Sequence, residues 1–201
     1  MYVIDIWDDL YPRCLFGIDE PPEKLYCIGN VDILSQNKIA IVGSRECDFD
    51  ADSVKIDGII EKFYQIDKDI KVVSGLAKGV DSIAHQKSLK NGTIAVLGSG
   101  LDVVYPNANE DLYNQILENN GLIISEYPNG SRPLPKNFIK RNRIIAGLAS
   151  SVIAIRCNAK SGTFSTVNYG LKYGKSVYCI RSGEFFNDSL IDKQIVRELL
   201  V

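Results

Sequence analysis

The sequence predicts an α/β fold in which an open, mostly parallel β-sheet carries helices on both faces. Three observations lead to this prediction: short β-branched apolar runs recur along the chain, turns with Gly or Ser follow them, and helix-length segments come next. Continuous apolar runs of this kind are typical of strands that are buried on both faces. Their alternation with helices indicates right-handed βαβ crossovers, which place the strands parallel to one another.

The predicted elements follow one another in order from residue 38. The strands are expected at Ile39–Val42, Ile70–Val73, Thr93–Leu97, Leu122–Ser125, Val152–Ile155 and Ser176–Ile180. The helices between them are expected at Ala51–Gln65, Val80–Lys90, Glu110–Asn119, Ile139–Ala149 and Thr163–Tyr173. Residues 38–183 therefore form the predicted core.

The two ends of the chain stand outside this alternation. Residues 1–37 contain several turn signals, among them Tyr11-Pro12 and Gly29-Asn30, and are expected to form a lead-in or cap packed on the core. Residues 184–201 are expected to form a C-terminal helix, because Asp188–Leu200 has an amphipathic pattern.

The composition is that of an ordinary globular protein, with 45% hydrophobic and 24% charged residues. No apolar run approaches the roughly 18–20 residues of a membrane helix, and the N-terminus lacks the basic start and apolar stretch of a signal peptide. We therefore expect a cytoplasmic protein without a membrane partner. The five cysteines are widely spaced and contain no C-x-x-C pair, which argues against a disulfide framework and a zinc site.

Charge is distributed unevenly along the chain. The formal net charge is −2, yet the 57 residues between Glu126 and Glu184 contain ten Lys or Arg and no acid. We call residues 127–183 the acid-free stretch. The expected partner of such a positive region on an acidic protein is a polyanion.

The turns after the strands are the candidate site, because ligands of open parallel sheets bind beyond the carboxyl ends of the strands. Gly43, Ser44 and Arg45 follow the first predicted strand, where backbone N–H groups and a guanidinium can hold a phosphate. A tight turn with a solvated Arg is the alternative. Gly75 follows the second strand and allows close approach of the backbone to a ligand. His85, the only histidine, is expected to be structural, because it has no companions for a metal site.

The strongest candidate is the basic segment that leads into the helix expected at Ile139–Ala149. It contains Lys136, Phe138, Lys140, Arg141, Asn142 and Arg143. An aromatic ring among cations suits the stacking of a base while the cations hold phosphates. The alternative is a packed loop with a solvated helix start. Cations at a helix start oppose the helix dipole, however, and an anionic partner would remove that conflict.

A second candidate anion site follows the fifth predicted strand and contains Lys160, Ser161, Gly162, Thr163, Ser165 and Thr166. They open the helix expected at Thr163–Tyr173, with hydroxyl groups and a glycine at its N-terminus. The free N–H groups of a helix start favour a bound anion.

Taken in order, these segments resemble the DNA-processing protein A (Smf) family. The matching segments are Ile39–Arg45, Val73–Asp81 with Ala84-His85, Thr93–Asp102, Tyr105-Pro106, Ser125–Pro128, Arg141–Leu148 and Ser161–Thr163. The resemblance covers roughly residues 10–182, and it is the series rather than any one segment that is specific.

The resemblance implies an extended Rossmann-like fold that binds single-stranded DNA. It also implies a homodimer that acts in natural transformation, protecting incoming strands and loading the recombinase RecA onto them. No enzyme activity, metal or other cofactor is expected, since no nucleophile–base pair or carboxylate dyad can be assembled from the turns. Carried over by motif, the DNA pocket would contain Gly43, Ser44, Arg45, Gly75, Lys136, Phe138, Arg141, Asn142, Arg143, Ser161, Gly162 and Thr163. Lys140 belongs to the same basic segment and is also expected to contact DNA.

The chain departs from the family pattern at Arg156-Cys157, where the family usually has Glu-Ala. This change is expected to make the pocket more positive. The alternative function is a small-nucleotide-binding sensor or a nucleotide hydrolase on a related Rossmann-like fold. Against the hydrolase, Ser161–Thr163 is followed by no acid before Glu184, so the expected catalytic carboxylate is missing. A scaffold that binds no DNA is a third possibility.

Overall fold

The structure is a computed structural model that describes residues 1–181, 183 and 185–200. Within these residues nine strands form one sheet: β1 Tyr2–Asp5, β2 Lys24–Gly29, β3 Lys38–Gly43, β4 Lys71–Ser74, β5 Thr93–Leu97, β6 Leu122–Ser125, β7 Ser151–Ile155, β8 Ser176–Cys179 and β9 Arg197–Glu198. The α-helices are α1 Phe49–Ile66, α2 Val80–Ser88, α3 Glu110–Glu118, α4 Pro135–Leu148, α5 Gly162–Lys172 and α6 Phe185–Asp192. The predicted α/β fold is confirmed.

The strand order places a switch point between β3 and β7. The sheet runs β1-β2-β6-β5-β4-β3-β7-β8-β9, and every pair from β6 to β9 is parallel. The chain therefore moves from β3 toward β6 in one direction and then returns through α4 to β7 on the other side of β3. Such a reversal opens a crevice at the carboxyl ends of the two diverging strands, where open α/β sheets bind ligands.

Both faces of the sheet are covered because apolar side chains alternate along each buried strand. On β3, Ala40 and Val42 pack in the core shared with α4 and α5, whereas Ile39 and Ile41 pack in the core shared with α1 and α2. The helix α3 covers β5 and β6 on the α1 and α2 side. Residues of a strand point to opposite faces in turn, so a continuous apolar run supplies two cores at once.

Residues 1–37 extend the sheet at its edge. Strand β1 pairs antiparallel with β2, which pairs antiparallel with β6. The segment also contributes Leu15 and Ile18 to the core beneath α4. The close approach requires Gly147 of α4, where a Cβ would lie 2.7 Å from the Ile18 side chain and 2.9 Å from that of Leu15. The expected cap therefore shares both a sheet and a core with residues 38–183.

The C-terminal segment corrects the expectation of a helix that reaches Leu200. Helix α6 ends at Asp192, after which Gln194 adopts a left-handed φ of +54°. Gln194 N donates to Ile191 O at 2.8 Å, an arrangement that closes a helix end. Arg197–Glu198 then pairs with β8 as a parallel edge strand. The amphipathic pattern alone did not reveal that the open edge of β8 would take this segment as a strand.

Candidate nucleic-acid interface

A cleft of about 620 Å³ lies where the loop after β3 meets the starts of α4 and α5. Nine of the predicted site residues line it: Gly43, Ser44, Arg45, Phe138, Arg141, Asn142, Ser161, Gly162 and Thr163. Three segments that are far apart in the sequence therefore meet at the carboxyl edge of the sheet, beside the switch point. Gly75, Lys136, Lys140 and Arg143 do not line the cleft.

Two glycines determine the path of the loop after β3. A Cβ on Gly43 would lie 2.3 Å from Ile155 O, and a Cβ on Gly79, where φ is +77°, would lie 2.4 Å from Ser44 O. Ser44 N donates to Ile155 O at 3.2 Å, which ties the loop to the neighbouring strand β7. The loop is thus fixed against β7 and the start of α2, and it leaves Arg45 exposed at the mouth of the cleft.

Aromatic side chains form one side of the cleft. The rings of Phe138 and Tyr105 lie 5.4 Å apart between centroids with an interplanar angle of 39°. Phe138 is half-buried, and Tyr105 keeps 45% of its surface exposed. A Cβ on Gly98 would lie 2.8 Å from Phe138 Cδ1. The glycine after β5 therefore leaves the space that the Phe138 ring occupies. Exposed aromatic faces of this kind can stack on nucleic-acid bases.

Arg141 lies beneath this aromatic side and is only 4% exposed. Its Nη1 donates to Gly75 O at 2.8 Å and also to Val96 O. A Cβ on Gly75 would lie 2.6 Å from Arg141 Nη2, so this glycine makes room for the guanidinium rather than for a ligand. The guanidinium carbon lies 5.9 Å from the centroid of the Phe138 ring, which is within the range of a cation–π contact. Arg141 therefore anchors the middle of α4 to the ends of β4 and β5.

A second buried ionisable group, the carboxyl of Asp81, interacts electrostatically with Arg141. Asp81 Oδ2 accepts from Gly75 N at 3.2 Å and from Ala77 N at 3.4 Å. Burial raises the pKa of Asp81, and Arg141 opposes this shift. Burial likewise lowers the pKa of Arg141 to about 10, against the influence of Asp81, so the guanidinium stays charged at neutral pH. Arg141 is buried and donates to backbone carbonyl groups, so its guanidinium is not free to bind a phosphate in the cleft.

The start of α5 forms the polar side of the cleft. Ser161 Oγ accepts from Phe164 N at 3.2 Å and caps the helix, whose first turn contains no acid. Asn142 Nδ2 donates to Gly162 O at 3.0 Å and to Ser165 Oγ at 2.8 Å, which joins α4 to α5. A helix start without acidic residues, held in place at the side of a cleft, favours an anionic ligand.

Arg143 faces away from the cleft and is 3% exposed. Its Nη1 and Nη2 donate to the two carboxylate oxygens of Glu126, both at 2.7 Å. Its Nε donates to Glu20 O at 3.0 Å, and Nη1 also donates to Lys140 O at 2.9 Å. Lys140 is exposed on the same side and pairs with the Glu20 carboxylate at 3.2 Å. The structure thus gives these two predicted DNA contacts acidic partners within the protein.

Other cations near the carboxyl edge remain unpaired. Arg45 and Lys160 are exposed, line the cleft and make no ion pair among the described residues. Lys136, in the first turn of α4, is also exposed and has no ion-pair partner in the part of the chain that the structure describes. These three side chains are free to bind phosphates.

Comparison with known proteins identifies the family. The sequence model of the family described as DNA recombination-mediator protein A matches residues 2–195. The chain belongs to this family. It is 43% identical over 178 residues to the DNA processing protein DprA of Streptococcus pneumoniae, an alignment that covers 87% of this chain and 61% of that protein. It is 41% identical over 181 residues to the protein Smf of Synechocystis, with 86% of this chain and 44% of that protein covered. The chain thus spans less than two thirds of the length of these relatives.

Two solved structures of family members share the fold. The X-ray structure of DprA from Streptococcus pneumoniae matches with a TM-score of 0.89 at 35% identity, over 98% of this chain and 70% of that one. DprA from Helicobacter pylori, whose structure concerns its single-stranded DNA binding mode, matches with a TM-score of 0.86 at 29% identity, over 94% and 88%. These matches confirm the resemblance to the DNA-processing protein A family.

The departure from the family pattern at Arg156 does not enlarge the positive charge of the cleft. Arg156 Nε donates to Asp52 Oδ2 at 2.7 Å, and the Asp52 carboxylate is fully buried. Arg156 is also absent from the cleft lining. The expectation of a more positive pocket was wrong, because the pattern did not show that α1 supplies a carboxylate to this position.

His85 is a packed residue, as expected from its isolation in the sequence. It is fully buried, and its Nδ1 lies 2.9 Å from Thr93 Oγ1. The Thr93 hydroxyl donates to Val72 O at 2.8 Å, so Nδ1 of His85 must carry the proton of the pair. Burial, and then Arg141, lowers the pKa of His85 to about 3. Among the described residues, no group of three or more His, Cys, Asp or Glu could hold a metal ion.

Several residues of the cleft lie outside the predicted DNA pocket, and three of them present groups that a ligand can contact. Tyr105 and Lys160 line the cleft, as does Thr166, which is 1% exposed. Each carried a signal: Tyr105 follows the glycine turn after β5, Lys160 directly precedes the cap of α5, and Thr166 lies on the same helix face as Thr163.

No described helix is long and apolar enough to cross a membrane.

Proposed function

We propose that this protein binds single-stranded DNA as a recombination mediator. The observation that carries the proposal is the presence, in one cleft, of an aromatic side and of unpaired cations. Phe138 and Tyr105 provide the rings, and Arg45 and Lys160 provide the charges. Every base has a face that can stack, and every nucleotide has a phosphate, so such a site accepts many sequences. The similarity to Helicobacter pylori DprA, whose structure concerns single-stranded DNA binding, supports the proposal.

The cellular part of the proposal follows from family membership. We expect the protein to act in the cytoplasm as a homodimer, to protect strands taken up in natural transformation and to load RecA onto them. Light scattering tests the dimer. Addition of RecA to a strand already covered by a single-strand-binding protein tests loading: RecA should displace that protein faster when this chain is present.

We also propose that the protein is not an enzyme. The acids that line the cleft are Glu46 and Asp81, and the Asp81 carboxylate already accepts two backbone N–H groups. His85 is buried against Thr93, so it is not placed to act as a general base for a ligand in the cleft. Incubation with labelled oligonucleotides and nucleoside monophosphates, with and without divalent metal, should leave both unchanged.

The decisive experiment is a titration of matched single-stranded and double-stranded oligonucleotides across a range of salt concentrations. The logarithm of the binding constant should fall by about 0.7 for each phosphate neutralised on a single strand. With Arg45, Lys136 and Lys160 as the free cations, we expect a slope of about −2 and a preference for the single strand. Absence of binding, or affinity that salt does not change, would contradict the proposed function.

A further inference from the structure

The polar side of the cleft contains two nearly buried threonines whose hydroxyl groups have no hydrogen-bond partner in the described part of the chain. Thr163 and Thr166 are 7% and 1% exposed, and both line the cleft. Neither hydroxyl makes a hydrogen bond within the described residues, whereas the nearby hydroxyls of Ser161 and Ser165 both do. Neither oxygen is among the fully buried, unpartnered polar atoms of the described residues, so both hydroxyl groups open into the cleft, where a ligand can bond to them.

Backbone donors lie beside these hydroxyls. Gly162 and Thr163 occupy the first two positions of α5, where no intrahelical acceptor exists. The cap by Ser161 Oγ uses the N–H of Phe164 and leaves those of Gly162 and Thr163 without a partner in the described part of the chain. This corner of the cleft, formed by residues 162–166 at the start of α5, therefore offers two N–H groups and two hydroxyl groups.

Positive charge borders the same corner. Arg45 and Lys160 line the cleft without ion pairs among the described residues. Ser44 Oγ, which also lines the cleft, accepts from Glu46 N at 3.1 Å and donates to no described residue. The Asp81 carboxylate is bound to backbone N–H groups, which leaves Glu46 as the exposed acid of the lining.

We propose that this corner binds a phosphomonoester: the terminal phosphate of a DNA strand or the phosphate of a free nucleotide. An internal phosphodiester has one charge and two free oxygens, fewer than these donors can hold. A phosphomonoester has three acceptor oxygens and a charge between −1.5 and −2 at neutral pH. Its attached base would reach toward Phe138 and Tyr105, and a cleft of about 620 Å³ has the size of a small-ligand site. For the strand end, the inference rests on the proposed function.

The test compares short single-stranded oligonucleotides of one sequence, about 6–10 nucleotides long, that differ in their ends. One has no terminal phosphate, one has a 5′-phosphate and one has a 3′-phosphate, and an unphosphorylated oligonucleotide longer by one nucleotide controls for added charge. We expect one of the phosphorylated forms to bind about tenfold more tightly than both unphosphorylated ones. Thymidine monophosphate and thymidine, as competitors, form the free-nucleotide arm, in which only the monophosphate should compete.

The variant Thr166→Val removes one hydroxyl at nearly constant volume. Because that hydroxyl has no internal partner, the melting temperature should stay the same or rise, while the tenfold ratio between phosphorylated and unphosphorylated oligonucleotides should fall toward one. Lys160→Ala should reduce the ratio as well. Lys172→Ala is the matched control, since Lys172 is also an exposed lysine of the acid-free stretch but lies at the far end of α5 and pairs with Asp19. It should leave the ratio unchanged.

The outcomes separate this inference from the proposed function. Equal binding of all four oligonucleotides, with no competition by the monophosphate, overturns the inference and leaves DNA binding intact. Binding of thymidine monophosphate but of no oligonucleotide supports the phosphomonoester site and overturns the proposed function. Absence of binding by every probe overturns both.

Discussion

Arg143→Ala should act on stability before it acts on DNA binding. The Arg143 guanidinium holds both oxygens of Glu126 at 2.7 Å, with the two side chains 3% and 9% exposed. Removal of one partner of such a buried pair costs about 3–5 kcal/mol, because the other charge stays buried without compensation. The carbonyls of Glu20 and Lys140 lose their donor as well. For a chain of this length the loss corresponds to a fall of roughly 6–20 °C in melting temperature.

The assay is urea and thermal unfolding followed by circular dichroism, with DNA affinity measured at a temperature where the variant is folded. Arg45→Ala is the matched control, because Arg45 is exposed and unpaired among the described residues; its stability should change by less than about 0.5 kcal/mol. The double variant Arg143→Met with Glu126→Leu removes both charges and should recover most of the lost stability. If Arg143→Ala instead melts like the wild type and binds DNA weakly, Arg143 contacts DNA and the assignment to Glu126 is refuted.

Three further predictions concern the cleft and the core. Arg45→Ala and Lys160→Ala should each make the salt slope of single-strand binding shallower by about 0.7 in a titration by fluorescence anisotropy, and an unchanged slope would remove the cation from the interface. Phe138→Ala should weaken binding by about 1–3 kcal/mol with the salt slope preserved, whereas Ile139→Ala, which removes an exposed aliphatic side chain of the same cleft, should have a much smaller effect. His85 should stay neutral in the folded protein to about pH 4, which NMR of the single imidazole can follow. Because its folded pKa lies below the unfolded value, the unfolded state binds the proton first, and the free energy of unfolding should fall by up to about 1.4 kcal/mol per unit as pH drops from about 6.5 toward 3. A His85→Gln variant should lack this component.

The fold was largely predictable because continuous apolar runs have one stable arrangement when helices alternate with them. The strands from β3 to β8 lie within two residues of their predicted positions. The antiparallel pair β1 and β2 was missed because both strands lie among turn signals and outside the alternation of strands and helices, and β2 pairs with the edge of β6, which is distant in sequence. The strand β9 was missed for the same reason at the edge of β8. Such strands form by pairing with a strand that is distant in sequence. The local pattern of apolar residues therefore does not predict them.

The site was predictable as a place but not as a set of contacts. The rule that ligands bind beyond strand ends located the loop after β3 and the start of α5 correctly. Charge counting did not distinguish a cation that faces solvent from one that has an internal carboxylate. Arg156 and Asp52 show the difficulty, because the two residues are more than 100 positions apart and meet only through the packing of α1. Gly75 is similar, since it serves the guanidinium of Arg141 rather than a ligand.

Helical periodicity explains how α4 sorts the residues of the basic segment, and it could have been applied to the sequence. Residues three or four apart share a helix face, whereas residues two apart do not. Phe138, Arg141, Asn142 and Ile145 follow this spacing and all line the cleft. Lys136, Lys140 and Arg143 follow it on another face, where Lys140 and Arg143 meet Glu20 and Glu126. Arg141 and Arg143 therefore cannot both reach one bound strand from a straight helix. The cations that contact phosphates in the cleft must therefore come from its rim, from Arg45 and Lys160, while the helix presents an aromatic ring and a buried guanidinium that anchors it.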